Sequence, residues 1–390
     1  MKIHLTKVKV YLAGICSLIV TAGVARFSYT SLLPIMQSNT GLTEVSGGWL
    51  ATINYLGYLV GVLVVSNLNN LSKKYALYRL YLILAVITTA AMALTSNVYI
   101  WAFLRFVSGV STSAGFIIAA GLILKWLVYN GHRGELGIHF SGIGLSILVA
   151  ALLVELLMAF SVSWQIQWVS LALVATLFAV PAWMWMPAPE KHIAHSTISH
   201  SNDTPPSKRF TWLLMAAYFC AGYGYVVSAT FIVDIVERIP TMQGNGQLVF
   251  ILLGLSAIPA VLIWDRVARN AGYLKALIWA YILQIIGILL PSVSDNLFVI
   301  SISAILFGAT FVACVSLVLT MAGRFFPSNP AKFMGKMTLA YGAAQIIAPA
   351  CTGLLAFWSG NYNVSLYLSA SVMLVGVLLL IWLIGLNETH

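Results

Sequence analysis

Residues 18–36 read LIVTAGVARFSYTSLLPIM, a run with a single charge, Arg26. With the apolar residues before it, this run is long enough to cross a bilayer, which takes about 20 apolar residues as a helix. A guanidinium keeps its proton, and placing one near the bilayer centre costs from about 3 to well over 10 kcal/mol. The expected compensation is a partner carboxylate, a watered cavity or an anionic ligand. Each of these implies a polar path through a membrane protein.

The rest of the chain agrees with a membrane setting. Of its 390 residues, 61% are hydrophobic and 8% charged, and its mean hydropathy is +0.95. A soluble chain of this length needs a far more charged surface. Twelve spans are expected, near 9–37, 45–69, 76–96, 99–124, 135–161, 164–187, 210–238, 245–269, 274–292, 296–325, 331–358 and 363–386. If the N-terminus faces the cytoplasm, nearly all Lys and Arg fall in cytoplasmic segments; Arg238 lies outside, and Arg26 and Arg105 lie within spans. This matches the positive-inside rule and places both termini in the cytoplasm, in a multi-pass membrane protein. It also accounts for the net charge of +10, so no nucleic-acid partner is expected. The basic start and Gly-Val-Ala at 23–25 could suggest a cleaved leader, but cleavage would break the charge alternation, so a retained first span is expected.

The segment 188–209, with four prolines nearby and His192, His195 and His200, reads as a cytoplasmic linker rather than a metal site. It divides the chain into a six-span half at 1–187 and another at 210–390. The expected fold is therefore all-α, twelve transmembrane helices in two pseudo-symmetric halves, with a binding site between the halves near the midplane. Cys16, Cys220, Cys314 and Cys351 all fall in apolar spans with no metal or disulfide spacing.

Several motifs carry a resemblance. Residues 23–37 (GVARFSYTSLLPIMQ), followed by 48–58 (GWLATINYLGY), resemble the YbfB/YjiJ-like subgroup of the major facilitator superfamily. Arg105-Phe-Val-Ser-Gly109 is similar to the superfamily's Arg-x-x-x-Gly motif in the fourth span, and Gly254 through Lys275 resembles its loop signature between spans eight and nine. The resemblance implies a secondary transporter of a bacterial-type cytoplasmic (inner) membrane, working by alternating access, with Asp265, Arg266 and Arg269 as a gating loop. Two departures stand out. Asn69 and Asn70 occupy the place of the usual acidic residue after the second span. The fifth span reads Ser141-Gly-Ile-Gly-Leu145, without the Gly-Pro pair of many drug–proton antiporters.

Height along each span ranks the polar groups. At a rise of about 1.5 Å per residue, Arg26 lies about 15 Å and Asn54 about 14 Å from the outer ends of their spans, and Gln345 about 21 Å from the inner end of its span, close to one level. The candidate substrate-binding residues are Arg26, Tyr29, Asn54, Tyr58, Tyr223, Tyr341 and Gln345. Asn54 with Tyr58, and Tyr341 with Gln345, share a helical face at i, i+4 spacing and could line a cavity or join helices. Arg105 and Glu155 sit at one height and are either a structural ion pair or a coupling pair in which Glu155 carries the proton. Gly57 and Gly61 read as a helix contact, Gly222 and Gly224 as a place where the seventh span could bend, Asp234 with Arg238 as a minor interfacial ion pair, and His139 as interfacial. No nucleophile motif, zinc motif or phosphate-cradling loop is present, so an enzyme is not expected. The expectation is a monomeric carrier of a small organic anion or zwitterion, without cofactor and possibly proton-coupled; the alternatives are an exporter of amphipathic compounds and, remotely, a membrane sensor.

Overall fold

The computed structural model describes residues 5–133, 136–189, 206–325 and 330–387. Among these it is helical, with no strand. Twelve helices are long and apolar enough to span a membrane: α1 (Lys7–Thr40), α2 (Glu44–Asn67), α3 (Leu71–Leu94), α4 (Val98–Tyr129), α5 (Gly137–Ala159), α6 (Trp164–Trp185), α7 (Lys208–Glu237), α8 (Gly246–Ala271), α9 (Tyr273–Val293), α10 (Leu297–Ala322), α11 (Phe333–Ser359) and α12 (Asn363–Leu386). Most of the expected linker, including its three His, lies outside the described residues.

The helix ends follow capping chemistry. Gly41 takes φ 71° and closes α1, a conformation that glycine adopts without strain. Thr43, Asn70 and Asn97 then accept backbone N–H bonds at the starts of α2, α3 and α4. The Asn70 that departs from the superfamily pattern is thus the cap of α3, accepting from Lys73 N at 3.1 Å.

With lipid outside, burying apolar surface gives little drive for helices to associate, so close approach and internal polar bonds hold them together. Between α2 and α4, a Cβ on Gly57 would lie 2.1 Å from Phe106 O, and one on Gly109 1.9 Å from Asn54 O. Only glycine allows that seam. Between α2 and α11, Gly48 and Gly353 do the same against Pro349 O and Glu44 O, at 2.5 Å each. The buried tips of Tyr78 and Tyr281 donate to Ala182 O and Ala217 O at 3.0 and 2.9 Å. Leu173, Leu177 and Val180 of α6 are exposed, which is what a lipid-facing surface requires. α7 runs as one continuous helix through Gly222 and Gly224. They let it pack closely, Gly222 against Tyr341 O and Gly224 against Met373.

The first six and last six spans meet along α1·α7, α2·α11 and α5·α8. Their side-chain hydrogen bonds, among the described residues, run from the middle of the bundle to the end opposite the termini. They include Thr30 Oγ1 to Ala229 O at 2.8 Å, Thr52 Oγ1 to Ile346 O at 2.9 Å and Gln247 Nε2 to Ser31 O at 2.9 Å. That end is sealed by polar contacts. Toward the termini the seam is apolar, with Gly137 beside Leu262 and Gly144 against Gly254.

Candidate functional site

Arg26 lies in a nine-residue π-helical stretch, Ile19–Phe27, inside α1, and Ala114–Ala119 forms a second one in α4. π-Helical turns are rare and concentrate at functional sites. Gly23 sets the first one tightly against α5, where a Cβ would lie 2.6 Å from Ser146 O. The second is held by His139, whose Nε2 lies 3.1 Å from Gly115 O. His139 is fully buried, not interfacial, because it fills the space beside Gly14 where a Cβ would collide with the ring.

The Arg26 side chain is 5% exposed and points into a cavity between the first and last six spans. Its Nη2 donates to Tyr225 Oη at 3.3 Å. Its guanidinium carbon sits 4.2 Å from the Tyr55 ring centre and 5.4 Å from that of Tyr58. Cation–π contact of this kind steadies a charge without neutralising it. The buried Arg26 Nε has no partner. Among the described residues the ion pairs are Arg238–Glu44, Arg238–Asp234 and Arg269–Asp265, and none reaches Arg26. The Arg26 charge therefore faces an open space with no carboxylate beside it among the described residues.

Tyr58, Tyr341 and Gln345 line the same cavity, as their residue types and heights suggest. Three other candidates do not. Asn54 is fully buried in the α2–α4 seam and donates to Arg105 O and Ser108 Oγ, each at 2.8 Å. Tyr29 is held away from the cavity, donating to Gly47 O at 3.0 Å with the Arg105 guanidinium over its ring. Tyr223 faces Cys351 on α11. Tyr225, two residues on and so about 200° round the helix, takes the cavity position. The sequence reading also missed Tyr218, Phe116, Phe140 and Phe311, which contribute rings to the lining.

Arg105 and Glu155 form no ion pair. Arg105 is buried inside the first six spans and donates to Ala25 O at 3.1 Å, while Glu155 is exposed on α5. Equal height had placed them at one level but on different faces. The buried carboxylate is instead Asp234, at 2% exposure. It accepts from Tyr362 and from Arg238 Nε, and the Gln37 amide of α1, with its nitrogen assigned to the side facing the carboxylate, lies 3.0 and 3.3 Å from its two oxygens. Arg238 also reaches Glu44 Oε1 at 2.8 Å, so this cluster ties α1 and α2 to α7 and the residue preceding α12. It is more than a minor interfacial pair. Asp265 and Arg269 pair at 2.8 Å, half-exposed, with Arg266 exposed beside them; all three lie on the last turns of α8 rather than in a loop.

The cavity lies in the half of the bundle that carries the termini. Its lining includes Phe140 near the start of α5, Leu319 near the end of α10 and Thr338 in the early turns of α11. The polar bonds across the seam thus lie toward the far end of the bundle and the cavity toward the termini, with a cation at the boundary.

No curated protein matches the chain in sequence. Two solved structures of the nucleoside transporter NupG, one of them a point mutant, share its fold with a TM-score of 0.73 at 11% identity, covering 97% of this chain and 98–99% of theirs. At that identity the likeness is one of fold alone. The family model described as the uncharacterised MFS-type transporter YbfB matches residues 18–381, nearly the whole length, and the chain belongs to that transporter family.

Proposed function

We propose that this secondary transporter carries a small organic anion by alternating access, with Arg26 as the group that receives the anionic end. The observation that supports this is the unmatched, buried guanidinium lining the central cavity. A buried cation without a counter-ion is costly, and an anionic cargo supplies that counter-ion only while bound. Arg26 also bonds to Tyr225 across the seam, so it is placed to respond when the two sets of six spans rock against each other. A nucleoside, the cargo named for the structural neighbours, is uncharged and would leave this group unmatched. The aromatic lining also fits an amphipathic cargo, which in this reading is the body of the same anion.

In the same reading the halves are residues 1–187 and 210–390, and the termini and the cavity mouth face the cytoplasm. Proton coupling, if present, is assigned to Asp234 rather than Glu155, because Asp234 is buried where the seal forms. The test is uptake or exchange of radiolabelled organic acids by proteoliposomes carrying the wild-type chain or Arg26→Gln. Transport by wild type that is lost in a folded Arg26→Gln supports the reading. Unchanged anion transport by the variant overturns it.

A further inference from the structure

We infer that the cargo is a flat, ring-bearing organic acid, held by its anionic group at Arg26 and by its ring against an aromatic wall formed by α7, α10 and α11. The inference rests on the organic-anion reading and narrows it to a chemical class. The wall is a run of rings at similar tilt. Phe311 stacks on Tyr225 with centres 5.3 Å apart and planes at 18°, and Tyr225 on Tyr341 at 5.8 Å and 28°. The series continues to Tyr218, 4.6 Å from Tyr341 at 32°, and behind Phe311 to Phe307 at 5.5 Å and 14°. Across the cavity, Tyr58 and Phe116 meet edge to face at 5.8 Å and 66°. The space is thus bounded by a stacked wall on one side and an edge-on pair on the other, with Arg26 at its closed end.

Such a space discriminates by shape and charge. A planar ring extends the stacked series and meets the facing edges, and each aromatic contact adds to plain area burial. A saturated ring of equal size gains area alone. A neutral ring of equal shape leaves the Arg26 charge without a counter-ion in a buried site. Gln345 adds a second polar point. It lines the cavity at 3% exposure, and its buried Oε1 has no partner, so it favours a cargo that also carries a hydrogen-bond donor.

The experiment is equilibrium binding to the purified full-length chain in lipid nanodiscs, with benzoate, para-hydroxybenzoate, cyclohexanecarboxylate, benzamide and uridine as probes. The expected result is benzoate binding roughly 3- to 10-fold tighter than cyclohexanecarboxylate and at least about tenfold tighter than benzamide or uridine. Para-hydroxybenzoate gains a further factor of roughly 2 to 10, which disappears in Gln345→Leu. Phe311→Leu, which keeps the site apolar, brings benzoate down to the level of cyclohexanecarboxylate; the melting temperature of the unliganded variant checks its fold. If cyclohexanecarboxylate matches benzoate in wild type, the ring is not read, and the anion site stands without this inference. If benzamide or uridine matches benzoate, the anion reading falls and takes the inference with it. If neither benzoate nor para-hydroxybenzoate binds at millimolar concentration, the ring-acid class is wrong.

Discussion

Arg26 and Arg105 are both buried, both lie over tyrosine rings and both lack a carboxylate partner, yet they do different work. Arg105 is enclosed by its own set of spans. It donates to Ala25 O, lies 4.4 Å from the Tyr29 ring centre, and its own carbonyl accepts from Asn54. Arg26 lies on α1, in a π-helical stretch that turns it out to the seam, and its side-chain hydrogen bond crosses to Tyr225. One cation is spent on holding α1, α2 and α4 together; the other is left facing a cavity. Residue type and burial are alike, so the difference comes from which way each helix faces.

The largest effect expected is on Arg26. Arg26→Gln should lower affinity for an anionic cargo roughly 10- to 100-fold, the worth of a charge-assisted bond in a dry site, while the melting temperature of the unliganded protein does not fall. Removing an uncompensated buried charge relieves a desolvation cost, so stability is not what this residue supplies. Arg105→Gln should do the reverse. It should destabilise the fold by about 1–3 kcal/mol, through loss of the bond to Ala25 O and the contact with Tyr29. Protein that survives should bind cargo as wild type does. Parallel melting curves and binding isotherms check both variants. If Arg105→Gln weakens binding as much as Arg26→Gln, the two arginines form one site and the contrast is wrong.

The next effect is at the sealed end. Arg238 binds a buried Asp234 and a part-exposed Glu44 at once, across the seam. Arg238→Gln removes both bonds and leaves the Asp234 charge to Tyr362 and Gln37. The population open at that end should rise by about tenfold. Glu44→Gln removes only the more exposed pair and should shift it less than about fivefold. A cysteine placed at Thr30, probed with a membrane-impermeant thiol reagent, reads both. Equal labelling in wild type and Arg238→Gln would show that the cluster does not close this end.

How much of this could be read from the chain follows from what helical sequence encodes. Twelve apolar runs and their polar breaks gave the spans, since length and hydropathy suffice for that. The height of Arg26 and Gln345 was legible from the rise per residue. The facing of each side chain was not, because a bundle of twelve helices offers several buried directions and an apolar span carries little amphipathic signal. Asn54 and Tyr58 sit one turn apart on α2, yet Asn54 points into the α4 seam and Tyr58 into the cavity. Tyr223 was chosen where Tyr225 lines the site. Glu155 shared a height with Arg105 but not a face. The available signal was the glycines: Gly57 and Gly109 mark where two backbones touch, and residues on those stripes are committed to packing.

The smallest effect tests the hinge of the comparison, the bond from Arg26 to Tyr225. At 3.3 Å it is a long bond, so Tyr225→Phe should change cargo affinity by no more than about two- to fivefold. The ring remains, and with it the stack on Phe311 and Tyr341. Losing the hydroxyl frees Arg26 Nη2, so the sign should favour tighter binding of an anion that takes both donors. The bond also ties α1 to α7, so its loss should speed the exchange between states, read as faster counterflow at saturating cargo. A loss of affinity greater than tenfold would instead place the Tyr225 hydroxyl on the cargo itself. Arg26 and Tyr225 would then be a joint receptor, rather than a receptor and the residue that holds it in place.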